Sequence, residues 1–272
     1  MHPLKTRDIL VWMLGSIVTA LIVVGNPSLA QAQDPFEIRV EEYERPTLGG
    51  FSFEEHVNYV QSGTTSSDGS VAATNHQLHA SSELTAGIGD HISLGLMLMT
   101  ARVPGTGMEY AGWRVLPHFY APDSRHLPLK VGLTTEFSFQ RIAFDESPST
   151  VELRPIIEKC VGRAQFDVNP AFERPLSRSS AGSSWVFQPS LRFAYEASPR
   201  FTPSFEYYGM VGSLAKLSPL ENQVHQIYPG VSIRPAGGVQ WDIGVGVALT
   251  PTGNQLIYKT RVEISFGRHS AK

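Results

Sequence analysis

The sequence predicts an all-β chain: a transmembrane antiparallel up-and-down β-barrel of about twelve strands behind a cleaved signal peptide. Three observations lead there. An export signal opens the chain, hydrophobic alternation of period two fills the remainder, and the connections between strands alternate between short and long.

Lys5 and Arg7 precede an apolar run over residues 9–25, followed by Asn26-Pro27-Ser28-Leu29-Ala30-Gln31-Ala32. A charged start, an apolar stretch, a helix breaker and an Ala-x-Ala box form a secretory signal. Cleavage after Ala32 assigns residues 1–32 to the signal peptide and leaves Gln33 as the first mature residue. An uncleaved anchor is the alternative, and the small-residue box favours cleavage. No later stretch approaches the roughly 18 apolar residues that a membrane helix needs. Residues 33–48 then read as a periplasmic N-terminal segment, 49–267 as the barrel and 268–272 as a C-terminal tail.

From Gly49 onward apolar side chains recur every second residue rather than every 3.6. Leu127, Leu129, Val131, Leu133, Thr135, Phe137 and Phe139 share one face, opposite Lys130, Thr134, Glu136, Ser138 and Gln140. Ala164, Phe166, Val168, Pro170 and Phe172 likewise oppose Arg163, Gln165, Asp167, Asn169 and Glu173. In the last segment Leu256, Tyr258, Thr260, Val262, Ile264 and Phe266 oppose Lys259, Arg261, Glu263 and Ser265. The same test places strands near 50–60, 75–88, 91–101, 109–121, 127–140, 149–159, 162–174, 184–197, 200–211, 223–234, 239–250 and 255–267. Such lengths suffice to cross a hydrocarbon layer when tilted. Pro117, Pro155, Pro170, Pro189 and Pro203 fall inside these strands, where each removes a ladder hydrogen bond, so local bulges or shifted strand ends are expected there.

The short connections are Gly89-Asp90, Pro122-Asp123-Ser124, Val161-Gly162, Ser198-Pro199 and Pro235-Ala236-Gly237-Gly238. Longer ones span 61–74, 102–108, 142–148, 175–183 and 212–222, with 251–254 the shortest of this set. Outer-membrane barrels have short periplasmic turns and longer external loops, and an even strand number returns both termini to the periplasm.

Composition agrees. Charged residues are 17% of the chain, against about 25% in soluble domains. Mean hydropathy is −0.10, as suits a wall of which every second residue meets lipid. The formal net charge of −3 gives no basic footprint for nucleic acid. Cys160 is the lone cysteine, which excludes an internal disulfide and leaves either an inert thiol at a strand end or a reactive one.

A ring of twelve strands is too wide for side chains to fill, so the ionisable face belongs in an aqueous lumen and the apolar face in lipid. Phe51, Phe53, Tyr59, Trp113, Trp185, Tyr195, Phe201, Trp241 and Phe266 sit on the apolar face near strand ends, as interfacial girdles do. The lumen candidates are Glu54, His56, His79, Glu83, Arg114, His118, Lys130, Glu136, Glu152, Arg154, Glu158, Arg163, Asp167, Glu173, Arg192, Glu196, Glu206, Asp242, Lys259, Arg261 and Glu263. Both signs are present, so a cross-linked interior is expected rather than a ring of one charge. These residues either line a pathway or only stabilise the wall, since buried charges must be paired in both cases. His56 and His79 would face one another across the first hairpin, with Glu54 and Glu83 near, as a metal site or proton sensor would require. The outward positions offer almost no His beside Ser, which argues against a hydrolase.

The terminal strand Tyr258-Lys-Thr-Arg-Val-Glu-Ile-Ser-Phe266 resembles the signal read by the barrel-assembly machinery, except that residues 267–272 follow it. Glu83-Leu-Thr-Ala-Gly-Ile-Gly-Asp90, Phe201-Thr-Pro-Ser-Phe-Glu-Tyr-Tyr208 and Val245-Gly-Val-Ala-Leu-Thr-Pro251 resemble the outer-membrane barrel family found with phenol-degradation (MetA-pathway) genes. That resemblance implies uptake of small, often apolar compounds and brings no catalytic residues. The expectation is a Gram-negative outer-membrane barrel, porin-like, passing an unidentified small solute without enzymatic activity or cofactor. Its partners are outer-membrane lipid and the assembly machinery, with no nucleic acid. A non-conducting structural or surface-anchor barrel is the alternative, and a lipid-active barrel enzyme a weaker one.

Overall fold

A computed structural model describes residues 34–266 except 46, 123–127, 177–183 and 236. The signal peptide and the C-terminal tail lie outside the described residues. Strands follow in the order β1 (Phe51–Ser62), β2 (Leu78–Gly89), β3 (Ile92–Val103), β4 (Gly107–Tyr120), β5 (Lys130–Gln140), β6 (Ser149–Val161) and β7 (Ala164–Pro175). After these come β8 (Val186–Tyr195), β9 (Phe201–Met210), the two-residue pieces β10 (Gly212–Ser213) and β11 (Lys216–Leu217), β12 (Val224–Ile233), β13 (Val239–Ala248) and β14 (Leu256–Phe266).

Each long strand pairs antiparallel with its neighbours, and β1 pairs with β14 from Phe51↔Phe266 to Ser62↔Leu256. The ring is therefore closed: twelve long strands with no free edge, as lipid requires of a spanning sheet. The small β10–β11 hairpin follows β9 and carries its pairing with β8 on to Phe187 and Val186 at the long-loop end. No helix among the described residues is long and apolar enough to cross a membrane.

Alternation explains which way the wall faces. On β7, Phe166 and Val168 are exposed while Asp167 and Asn169 are buried; on β14, Tyr258 is exposed while Lys259 and Arg261 are buried. Phe51, Phe53, Tyr195, Phe201, Trp241 and Phe266 are exposed on the outer surface toward the short-turn end, as one girdle would be. Tyr59 and Trp185 are half-buried, and Trp113, midway along β4, is exposed and stacks on Phe139 with centroids 4.5 Å apart. An exterior this apolar would be an aggregation surface in water and is a solvation surface in lipid.

The prolines sit where ladders lapse. Pairing between β6 and β7 breaks off after Leu153↔Phe172 and resumes at Ile157↔Val168, with Pro155 and Pro170 in the gap. The β4–β5 ladder skips from Val115↔Phe137 to His118↔Thr134 around Pro117. The β8–β9 ladder runs only from Ser190↔Tyr208 to Ala194↔Ser204, bounded by Pro189 and Pro203. A ladder that cannot receive an N–H at proline forgoes the pair, and the inward Asn169 amide donates to the Pro155 carbonyl at 3.3 Å.

Three boundaries move. β5 begins at Lys130, so Leu129 precedes the strand and Leu127 lies outside the described residues. β6 and β8 end at Val161 and Tyr195, where a two-residue turn built on Gly162 (φ 61) and a bend take over. That shift has a consequence for the lumen. Arg163 and Glu196, expected inside, are exposed at the short-turn end, because the alternation begins before Ala164, the first residue of β7, and continues past Tyr195, the last of β8.

The largest departure concerns the N-terminal segment. Residues 33–48 were expected as a periplasmic tail, yet residues 34–45 run through the barrel antiparallel to β1. Asn58 of β1 bonds Pro35, and Glu54, nearer the start of that strand, bonds Arg39. Asp34 and Pro35 lie beside residues of the long β1–β2 and β5–β6 loops, while Arg45 reaches His91 in the short β2–β3 turn. Asp34 thus lies at the long-loop end and Phe266 at the short-turn end, and the termini themselves lie outside the described residues. Glu37, Glu41 and Glu42 find arginines inside the wall, which draws the segment in.

Candidate solute pathway

The inner face is ionised as the alternation requires. Glu54, His56, His79, Glu83, Arg114, Glu136, Glu152, Arg154, Asp167, Arg192, Lys259 and Arg261 are buried. Lys130 is half-buried and bonds Glu158 at 2.9 Å, and Glu263 lies 3.7 Å from Arg261. His118, Glu158, Glu206 and Asp242 are inward too. His56 and His79 do not face one another: His56 opposes Ser81, and His79 opposes Asn58. Residues 63–77 take up the loop and set the register two residues away from the histidine pairing. Among the described residues no group of His, Cys, Asp and Glu is arranged to hold a metal ion.

Sequence reasoning missed that the lumen is occupied. Its axis is filled by Phe36, Glu37, Ile38, Arg39, Val40 and Glu41, which alternate like a strand but form no ladder. Phe36 packs with Met97, Met99, Ala101, Ala111 and Leu116; Ile38 and Val40 pack with Val60, Tyr208, Tyr228 and Ile257. Tyr43 joins Tyr120 and Ile156 near the short-turn end. The signal was present in Phe36-Glu37-Ile38-Arg39-Val40-Glu41, whose period matches that of the wall. Inward glycine makes room for part of this filling: a Cβ on Gly246 would stand 2.2 Å from the Tyr228 ring.

Wall side chains satisfy the segment's backbone. Ser81 Oγ donates to the Phe36 carbonyl at 2.7 Å and Lys259 Nζ to that of Ile38 at 3.2 Å. The Asn169 amide serves both backbone groups of Glu41, accepting from its N–H at 2.6 Å and donating to its carbonyl at 3.1 Å. Tyr43 N–H donates to Glu158 at 2.9 Å. A backbone in extended form inside a barrel must find such partners, because a buried unpaired N–H or carbonyl is costly.

Charge is matched in the same way. Arg114 contacts Asp34, Glu37 at 3.3 Å and Glu136 at 3.1 Å. Arg154 reaches Glu37 at 3.2 Å, Glu41 at 3.5 Å and Glu152 at 2.6 Å. Arg192 lies between Glu42 at 3.3 Å and Asp167 at 3.0 Å. On the opposite side the segment's Arg39 bonds Glu41 and Glu54, and Arg261 holds Glu54 at 2.9 Å and Asp242 at 2.7 Å. The segment's acids face the wall's arginines, and its arginine faces a wall carboxylate. Each of these wall arginines also keeps a wall carboxylate of its own, so the wall retains partial pairing without the segment. Isolated buried charges cost several kcal/mol each, which makes the pairing obligatory.

No protein-family model matches the sequence, and no curated protein matches it. Solved structures do match. An outer membrane channel from Pseudomonas putida F1 superposes with a TM-score of 0.56 and 12% identity, over 85% of this chain and 100% of that one. The NanC porin superposes with a TM-score of 0.51 and 8% identity, over 80% of this chain and 100% of that one. At such identities the likeness carries architecture: this chain has the fold of outer-membrane barrels.

Proposed function

We propose that the chain is a bacterial outer-membrane barrel that passes small solutes passively. One observation carries this reading: twelve strands close around a lumen lined by ionised groups, while their outer surface is aliphatic and aromatic. The match to barrels described as a channel and a porin supports it. Small, apolar compounds are the solute class implied by the resemblance to the phenol-degradation barrels; inward Met97, Met99, Leu116, Tyr208 and Tyr228 are covered by the enclosed segment and become a surface for such compounds when it is withdrawn. In this reading the chain is exported by its signal peptide, inserted by the barrel-assembly machinery, surrounded by outer-membrane lipid and active without a cofactor. The short turns and the end of β14 face the periplasm.

A second reading is a non-conducting structural barrel, and a specific observation favours it: Phe36, Ile38, Val40 and Tyr43 fill the lumen. Planar-bilayer recording and liposome swelling with the refolded mature chain separate the two. Discrete conductance steps and solute-dependent swelling support the channel. A silent bilayer together with no swelling for any solute contradicts it.

A further inference from the structure

Three carboxylates stand side by side on the inner wall. Glu136 of β5 is opposite Glu152 of β6, which is opposite Glu173 of β7. Like charges in directly opposed positions destabilise a sheet, so the row needs counter-charge. Arg114 supplies it to Glu136 and Arg154 to Glu152, and Arg154 also lies 3.8 Å from Glu136 Oε2, too far for a hydrogen bond. Glu173 has no cationic partner among the described residues; its hydrogen bond is a neutral one from Gln188 at 3.5 Å.

The row borders a cavity of about 80 Å³ between the first residues of the enclosed segment and the long loops. His79, Glu136, Glu173 and Asn254 line it with Phe144 and Met210. Three of these residues carry a buried polar atom without a hydrogen-bond partner: His79 Nδ1, Glu136 Oε2 and Asn254 Nδ2. Buried polar atoms are nearly always satisfied in native proteins, and three bordering one space point to a polar occupant.

We propose that this cavity binds a small protonated amine with an apolar body as a solute of the channel; the proposal rests on the channel reading. The ammonium group is held at the wall by Glu173 and Glu136, supplying the charge that Glu173 lacks, while His79 on β2 borders the far side of the same space. Phe144 and Met210 take the alkyl body, and Asn254 Nδ2 donates to any acceptor the solute carries. Water satisfies dipoles, and an unpaired buried carboxylate is neutralised by a proton, so the amine binds by displacing that proton and pairing with the ionised Glu173. A carboxylate solute meets the acidic row, and Arg114 is already engaged by Asp34, Glu37 and Glu136.

The test is calorimetric titration of the full mature chain in detergent with n-propylamine, propan-1-ol and propionate, which are matched in size. Saturable binding is expected for the amine alone. Glu173→Gln is expected to weaken it about tenfold or more, the loss of one charge-assisted hydrogen bond, and Glu173→Asp to retain most of it, with thermal midpoints no lower than that of the parent showing that both variants fold. Equal binding of all three probes, amine binding indifferent to Glu173→Gln, or no saturable heat with the amine (a cavity holding water only) overturns the proposal. Liposome flux of a neutral solute in the same preparation tests the channel separately. Flux without amine binding removes the site and leaves the channel; amine binding without flux of any solute removes the channel and leaves the site.

Discussion

Residues 36–41 and residues 53–59 alternate polar and apolar side chains with the same period, and they lie against one another in the barrel, yet different bonds hold them. In β1 every residue from Phe51 to Tyr59 has a partner on β2 and another on β14, so its position follows from two backbone ladders. The enclosed segment has no ladder. It is held by Ser81, Asn169, Glu158 and Lys259 acting on its backbone and by Arg114, Arg154 and Arg192 acting on its carboxylates. A ladder is repeated and tolerant of any single side chain. Side-chain anchoring is local, so each anchor matters individually and the segment can be withdrawn without opening the wall.

Substitutions sharpen that contrast. Arg154→Ala strips the counter-charge from Glu37, Glu41 and Glu152 together, and removing one partner from a buried charge cluster costs about 3–5 kcal/mol. Denaturant unfolding of the folded chain in detergent micelles should show that loss as a lowered midpoint. An unchanged midpoint would mean that the lumen charges are solvated rather than paired. On the other side of the wall, Leu191→Arg puts a cation into lipid in the middle of β8 and should cost about 2–4 kcal/mol. Folding into bilayers of defined thickness measures it, and a neutral outcome would place this face in water.

Asn169→Ala tests the anchoring itself. It leaves the N–H and carbonyl of Glu41 unbonded, a penalty of about 1–3 kcal/mol. Combined with deletion of residues 34–45 the penalty should largely disappear, leaving only the bond to Pro155. A double-mutant cycle reads the difference, and additive effects would show that Asn169 does not hold the segment. Smallest of all, Arg163→Gln at the exposed turn should change stability by no more than about 0.5 kcal/mol and leave conductance unaltered. A clear shift in ion selectivity would return Arg163 to the lumen.

The sequence made the wall legible because lipid imposes a rule on every second residue. Phe166, Val168, Tyr258 and Phe266 could be assigned outward, and Asp167, Lys259 and Arg261 inward, without knowing any neighbour. Register was less legible. His56 and His79 were displaced by two positions because the length of the first loop, and not the pattern, sets which pair meets. Arg163 and Glu196 failed for a related reason: alternation has no sign of where a strand starts or stops, and β7 starts after Arg163 while β8 stops before Glu196. The enclosed segment was hidden differently. Its alternation is as clear as that of β1, but what places it is a set of contacts such as Asn169 with Glu41 and Arg114 with Glu37, distant in sequence and following no period.

Unitary conductance of the mature chain against a form lacking residues 34–45, in planar bilayers at one salt concentration, tests most directly whether a closed wall encloses a seated segment. A filled lumen inside an intact ring predicts a small conductance for the full chain and a severalfold larger one after the deletion, with both proteins folded and inserted. Equal conductance in the two forms would contradict it, because the segment could not then occupy the path between the two ends of the barrel.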